Sequence, residues 1–146
     1  MDLLEIFQPG TRREETFPVE EDKTALHVGS GASRVLATPW MIAFMERVSH
    51  RLLAEKLPPG YSSVGVLVNV RHAAPTPMDA EVRVKTEILE IDGSHVTFAV
   101  EAWDAIEKVG EGQHQRVVIH ESRFLERVAS KKSEIQGRGG KGLSEK

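Results

Sequence analysis

Apolar residues along this chain follow two periods. From Thr38 to Leu57 they recur at helical spacing: Met41, Met45, Val48 and Leu52 form a row, with Phe44 to one side and Ile42 and Leu53 to the other. At about 100° per residue the apolar arc exceeds half the circumference, leaving Ala43, Arg47, His50 and Arg51 outside it. A helix this apolar is expected to be enclosed by a sheet. Thr38 offers a hydroxyl at the N-cap, Pro39 suits the first helical position, and Pro58-Pro59-Gly60 stops the helix. Glu46 stands inside, on the side shared by Ile42, Ser49 and Leu53, where a buried carboxylate is costly unless paired or used.

Beyond the helix the period falls to two. Ser63–His72 is a valine-rich strand, with Val64, Val66, Val68 and Val70 on one face. Ala73–Met78 is a proline-rich break. Ala80–Ile91 alternates again but slips in phase at Leu89, which predicts a bulge. Asp92-Gly93 is a hairpin turn into His95–Trp103. Lys108–Gly112 reads as a turn and Gln113–Leu125 as the last strand. Ahead of the helix, Thr11–Val19 reads as an edge strand, because Pro18 has no N–H to give a central ladder. Residues 20–37 connect it to the helix. The order of strand, helix and further strands on short turns predicts an α+β fold, one antiparallel sheet packed on one long helix. Residues 1–128 form the expected domain; 129–146, rich in Gly, Ser and Lys, are expected to be a disordered basic tail.

Composition narrows the function classes. The chain has 146 residues, 28% of them charged, and a net charge of −3, so it carries no global nucleic-acid footprint. It has no cysteine, which excludes disulfides, thiolate metal sites and a cysteine nucleophile. The opening MDLLEIFQPG has no basic, apolar leader character, and no run reaches the roughly 18 apolar residues of a membrane helix. The expectation is a soluble cytoplasmic protein with no membrane or nucleic-acid partner.

Four residues stand out chemically: Thr38, Glu46, His72 and Arg116. A hydroxyl at a helix N-terminus sits beside free amides that favour developing negative charge. A carboxylate two turns on can activate water or attack, and a strand-end histidine can move a proton. Each also has a plain structural role: Thr38 as a cap, Glu46 and Arg116 as an ion pair, His72 as a surface residue. The six histidines show no tight ligand spacing, so no metal site is expected, although His114, Arg116 and His120 share a strand face. No phosphate-binding glycine loop or nucleophile elbow is present.

Three stretches carry a family resemblance: ATPWMIAFMER at 37–47, VGVLVNVRHAAPTP at 64–77 and GQHQRVVIHESRF at 112–124. In their order and spacing the chain resembles the hotdog-fold thioesterases, specifically those similar to fluoroacetyl-CoA thioesterase. The resemblance implies a long helix wrapped by an antiparallel sheet, with two subunits joined sheet to sheet as a homodimer or higher homo-oligomer and sites at their interface. By position it implies catalytic roles for Thr38, Glu46 and His72, and places Gly65 and Arg116 at the acyl end of the pocket. It implies an acyl-CoA thioesterase for a small or medium acyl group, with CoA arriving as part of the substrate and no other cofactor. A hotdog protein that holds acyl-CoA without turnover is the alternative. Two features depart from the family pattern. Leu26–Leu36 is short and lacks an aromatic residue, and Pro39 stands in place of a glycine, so an oxyanion contact at the helix start is expected from Trp40 or Met41.

Overall fold

In a computed structural model of the chain, which describes residues 1–142, five strands form one antiparallel sheet in the order β1-β3-β4-β5-β2. The strands are β1 (Arg12–Pro18), β2 (Tyr61–His72), β3 (Glu81–Asp92), β4 (His95–Trp103) and β5 (Lys108–His120). A four-residue helix, α1 (Ala25–Val28), precedes the long α2 (Thr38–Ala54), and α3 (Glu121–Gly142) follows β5.

The apolar row of α2 does what its period predicts. Met41, Phe44, Met45, Val48, Leu52 and Leu53 are buried against the inward row Val82, Val84, Ile88, Val96, Phe98 and Val100 of the sheet. Phe17 of β1 stacks on Phe44 with ring centroids 4.3 Å apart. Two polar residues between helix and sheet satisfy each other: Ser49 Oγ donates to the Met45 carbonyl at 2.9 Å and accepts from Thr86 Oγ1 at 2.8 Å. The expected edge position of β1 and the bulge in β3 are present, the latter as a register shift between Ile88 and Glu90.

Several expectations are corrected. The N-cap of α2 is Ala37, so Thr38 is already helical and its hydroxyl is turned elsewhere. Glu46 is not buried; its side chain keeps 42% of its surface exposed. β5 begins at Lys108, so residues 108–112 are strand rather than turn. Their glycines serve close approach: a Cβ at Gly110 would strike Met41, and one at Gly112 would strike the Asn69 carbonyl and the Val70 backbone. β5 ends at His120, where the Glu121 amide donates to the Gly60 carbonyl and the chain turns into α3. Much of the expected tail is therefore helical, with Leu125, Val128 and Ile135 exposed at helical spacing; residues 143–146 of that tail lie outside the described residues.

β2 closes one side of the sheet and leaves that edge open. A bulge between Gly65 and Leu67 breaks its alternation, and Val66, Leu67 and Val68 are all exposed, Val66 by 52%. No helix among the described residues is long and apolar enough to cross a membrane.

Candidate active site

Thr38 and His72 meet because the segments that carry them are laced together. Leu36 N donates to the Thr76 carbonyl at 2.8 Å and Ala37 N to the Lys23 carbonyl at 2.9 Å, which sets where α2 starts. Ala73 N donates to the Val109 carbonyl at 2.7 Å, which fixes the chain as β2 ends at His72. The result is a contact of 2.7 Å between Thr38 Oγ1 and His72 Nδ1. Burial lowers the His72 pKa, opposed by a weaker contribution from the Ala74 backbone. The imidazole is therefore neutral at neutral pH. With the proton on Nε2, which is buried and without a hydrogen-bond partner, Nδ1 accepts from the Thr38 hydroxyl.

A hollow of about 280 Å³ opens over this pair, lined by Ala25, Ser30, Val35, Ala73, Ala74 and Pro75 among others. Neither a charged nor an aromatic residue lines it besides His72 itself. A larger groove of about 490 Å³ lies by Arg12, Lys85, Glu87 and Glu101, away from these residues, and Arg12 Nε there is engaged by Glu87 at 2.7 Å.

Glu46 belongs to a second cluster. Its Oε2 lies under Gly65, where a Cβ would be 2.7 Å from that oxygen, 3.2 Å from His114 Cε1 and 3.5 Å from Arg116 Nη1. Arg116 is buried and held from three directions: Nε donates to Ser63 Oγ at 2.9 Å, Nη2 to the Ser63 carbonyl at 3.0 Å, and Nη1 to His114 Nε2 at 3.1 Å. Its distance to Glu46 Oε2 is 4.0 Å, beyond hydrogen-bond reach. Burial lowers the Arg116 pKa, and the Glu46 carboxylate acts the other way.

The structure thus brings together Thr38 with His72, and Glu46 with Gly65 and Arg116, but not the two groups with each other. Glu46 lies eight helical steps beyond Thr38, about 12 Å along the axis at about 1.5 Å per residue.

The model of the fluoroacetyl-CoA-specific thioesterases matches residues 19–122 of this chain. The chain belongs to that family. It is 33% identical over 128 residues to the fluoroacetyl-CoA thioesterase of Streptantibioticus cattleyicolor, covering 84% of this chain and 92% of the relative. Among solved structures it resembles a mutant of the fluoroacetyl-CoA-specific thioesterase in complex with fluoroacetate and CoA, with a TM-score of 0.77, 33% identity and coverage of 81% of this chain and 99% of that one. It also resembles a hot-dog-like protein from Thermanaerovibrio acidaminovorans, with a TM-score of 0.84, 27% identity and coverage of 90% and 97%. The fold is the hotdog fold, and the family's chemistry is thioester hydrolysis.

Trp40 and Met41 do not offer the expected oxyanion contact. Their amides both donate to the Ala37 carbonyl at 3.0 Å, and the Met41 side chain is fully buried. Trp40 is half-buried, with Lys23 Nζ 4.3 Å above its ring. Because Pro39 has no N–H, the donor left at the start of α2 is the amide of Thr38, which has no partner among the described residues. Arg116 is held by two residues that are not site candidates on sequence grounds, His114 and Ser63. His114 carried a signal there, since it shares a strand face with Arg116; Ser63 carried none.

Proposed function

We propose that this protein hydrolyses an acyl-CoA thioester to the free acid and CoA, with a small or medium uncharged acyl group. Family membership supports the reaction class. The observation that carries the site assignment is the 2.7 Å contact between Thr38 Oγ1 and a neutral His72 at the mouth of a hollow beside the start of α2.

The working unit is a homodimer joined along β2. Its exposed backbone edge and its apolar Val66, Leu67 and Val68 support an edge-to-edge pairing with a second copy. Gly65 and His72 lie seven residues apart on that strand. A two-fold axis between Val68 and Asn69 therefore sets the Gly65 of one copy opposite the His72 of the other. The Glu46 cluster of one subunit then faces the Thr38–His72 pair of its partner, and each site draws on both chains.

In this arrangement the thioester carbonyl oxygen lies at the Thr38 amide, beside the positive end of α2. Glu46 of the second copy takes a proton from water as the water oxygen attacks the carbonyl carbon. Collapse of the tetrahedral intermediate breaks the C–S bond, and the proton that Glu46 took from water passes by way of His72 to the departing CoA sulfur. The short Thr38–His72 contact also fits a second reading, in which His72 takes the Thr38 proton and Thr38 attacks to form an acyl-threonine. The hollow holds the volume of about nine waters at about 30 Å³ each, and its uncharged lining of small residues supports an acyl chain of several carbons over a charged one. The cytoplasm, expected from the sequence, is the compartment that suits this substrate.

Release of free thiol from a panel of acyl-CoAs, from acetyl through medium-chain and aryl groups and including fluoroacetyl, tests the proposal. Turnover by the native protein that disappears in Glu46→Gln is expected. Binding of CoA without release from any member contradicts it. Acid quench and mass analysis of Thr38 during turnover separate the two readings, because an acyl adduct forms in the second alone.

A further inference from the structure

The ring of His114 joins three parts of the Glu46 cluster. It lies almost fully buried on β5, roughly parallel to Phe98 of β4 with centroids 6.2 Å apart. Its Nδ1 is 2.8 Å from the Leu67 carbonyl, at the bulge of the open edge strand. A carbonyl only accepts, so Nδ1 carries the proton and donates. Its Nε2 is 3.1 Å from Arg116 Nη1. A guanidinium only donates, so Nε2 presents a lone pair. The two contacts together assign one protonation state: neutral, with hydrogen on Nδ1.

That state has a consequence for Arg116. Ser63 and His114 supply three acceptors around the guanidinium, which leave it 4.0 Å from Glu46 Oε2, too far to bond. Without the His114 acceptor, the nearest strong acceptor left to Nη1 is the Glu46 carboxylate, and a small shift of either flexible side chain would form a partly buried ion pair. We infer that His114 is a positioning residue that, as a neutral imidazole, holds Arg116 off Glu46 and so keeps the carboxylate free for reaction. The inference rests on the proposed role of Glu46 and extends it.

The surroundings favour the neutral ring. Burial and the charge of Arg116 disfavour the imidazolium, while the Leu67 carbonyl and Glu46 favour it, and burial is the largest of these. Charge reaches the ring from Glu46 on α2 and Arg116 on its own strand; β4 contributes Phe98 and β2 a backbone carbonyl. His50 lies one step further away, with Nδ1 3.4 Å from Ser63 Oγ.

Two variants and one spectrum test the inference. His114→Phe keeps a ring against Phe98 but removes both polar contacts. His114→Gln retains an oxygen acceptor toward Arg116. For the Phe variant, kcat is expected to fall roughly tenfold or more with KM within about threefold, while the Gln variant stays within about threefold of native in both. In nitrogen-15 spectra of the native full-length protein, His114, assigned by its absence in the Gln variant, is expected as the neutral Nδ1–H tautomer from pH 7 to 8. An Nε2–H tautomer or an imidazolium in that range overturns the inference. So does native kcat in a folded His114→Phe, or a large loss in His114→Gln. If the Phe variant fails to fold, the spectrum and the Gln variant still decide. The tautomer is read without turnover, so failure here is distinct from failure of the Glu46 role, which appears as activity in Glu46→Gln.

Discussion

Thr38 and His72 sit 34 positions apart in sequence and 2.7 Å apart in space, oxygen to ring nitrogen, at the start of the central helix. A hydroxyl against a neutral imidazole is an arrangement in which a proton can pass. Replacing Thr38 by Ala is expected to lower kcat by about a hundredfold, within the range for a positioned proton-transfer group, whereas Thr38→Ser keeps the hydroxyl and most of the rate. Steady-state kinetics of the two variants check this.

The lowered pKa of His72 sets a pH dependence. Protonated His72 cannot accept from Thr38. Because burial favours the neutral form, the acidic limb of kcat/KM that belongs to this residue lies below the ordinary histidine value of about 6.5. A limb above that value would show that His72 is not the group being titrated.

Glu46→Gln removes the carboxylate and keeps its size. With a side chain 42% exposed and outside hydrogen-bond reach of Arg116, it is expected to change melting temperature little and to lower kcat by about 10²–10⁴-fold. Thermal melts and thiol release on the same preparations separate the two effects.

Two glycines on neighbouring strands give a contrasting pair. A Cβ at Gly65 meets Glu46 Oε2 at 2.7 Å, the far end of a flexible side chain, and His114 Cε1 at 3.2 Å, so Gly65→Ala is expected to displace the carboxylate and lower activity with a smaller loss of stability than a Cβ at Gly112. A Cβ at Gly112 meets the Val70 Cα at 2.6 Å and the Asn69 carbonyl, which are backbone and cannot step aside. Gly112→Ala is expected to destabilise by about 1–3 kcal/mol. Denaturant melts of both variants test the contrast.

Three histidines, His50, His72 and His114, have pKa values lowered chiefly by burial. The unfolded chain therefore binds protons at a higher pH than the folded one. Their contribution to stability is complete above the unfolded value of about 6.5 and is lost as pH falls through the lower, folded values. The melting temperature is expected to drop between pH 7 and 5, and by less in His114→Gln. A flat profile would contradict the assignment.

Much of this fold is legible in the sequence. Met41, Met45, Val48 and Leu52 fixed the helix face because burial against a sheet demands helical spacing, and Asp92-Gly93 marked a hairpin by its turn chemistry. The glycines of residues 108–112 misled, since glycine serves close approach as well as turns, and which one applies depends on Met41 and Asn69, distant in sequence. Four glycines from 137 to 142 argued against a helix that the spacing of Leu125, Val128 and Ile135 supports. Thr38, Glu46 and His72 stand out in the sequence by their chemistry, and the family resemblance is what implies a joint catalytic role for them. Their division into two groups is not legible there, because it depends on which end of α2 each strand residue reaches. His114 was hidden for a related reason: its role lies in which atoms of Leu67 and Arg116 it touches.

The most direct test of the proposed composite site is complementation between two variants expected to be inactive, one carrying Glu46→Gln and the other His72→Asn. They are mixed, allowed to exchange subunits and assayed for thiol release from the best acyl-CoA. A mixed dimer holds one intact site, with Thr38 and His72 from the first chain and Glu46 from the second. Random exchange makes about half the dimers mixed, so activity is expected to recover to about a quarter of native. Baseline activity in a mixture whose mixed dimers are demonstrated by native mass spectrometry would contradict a site built from two chains.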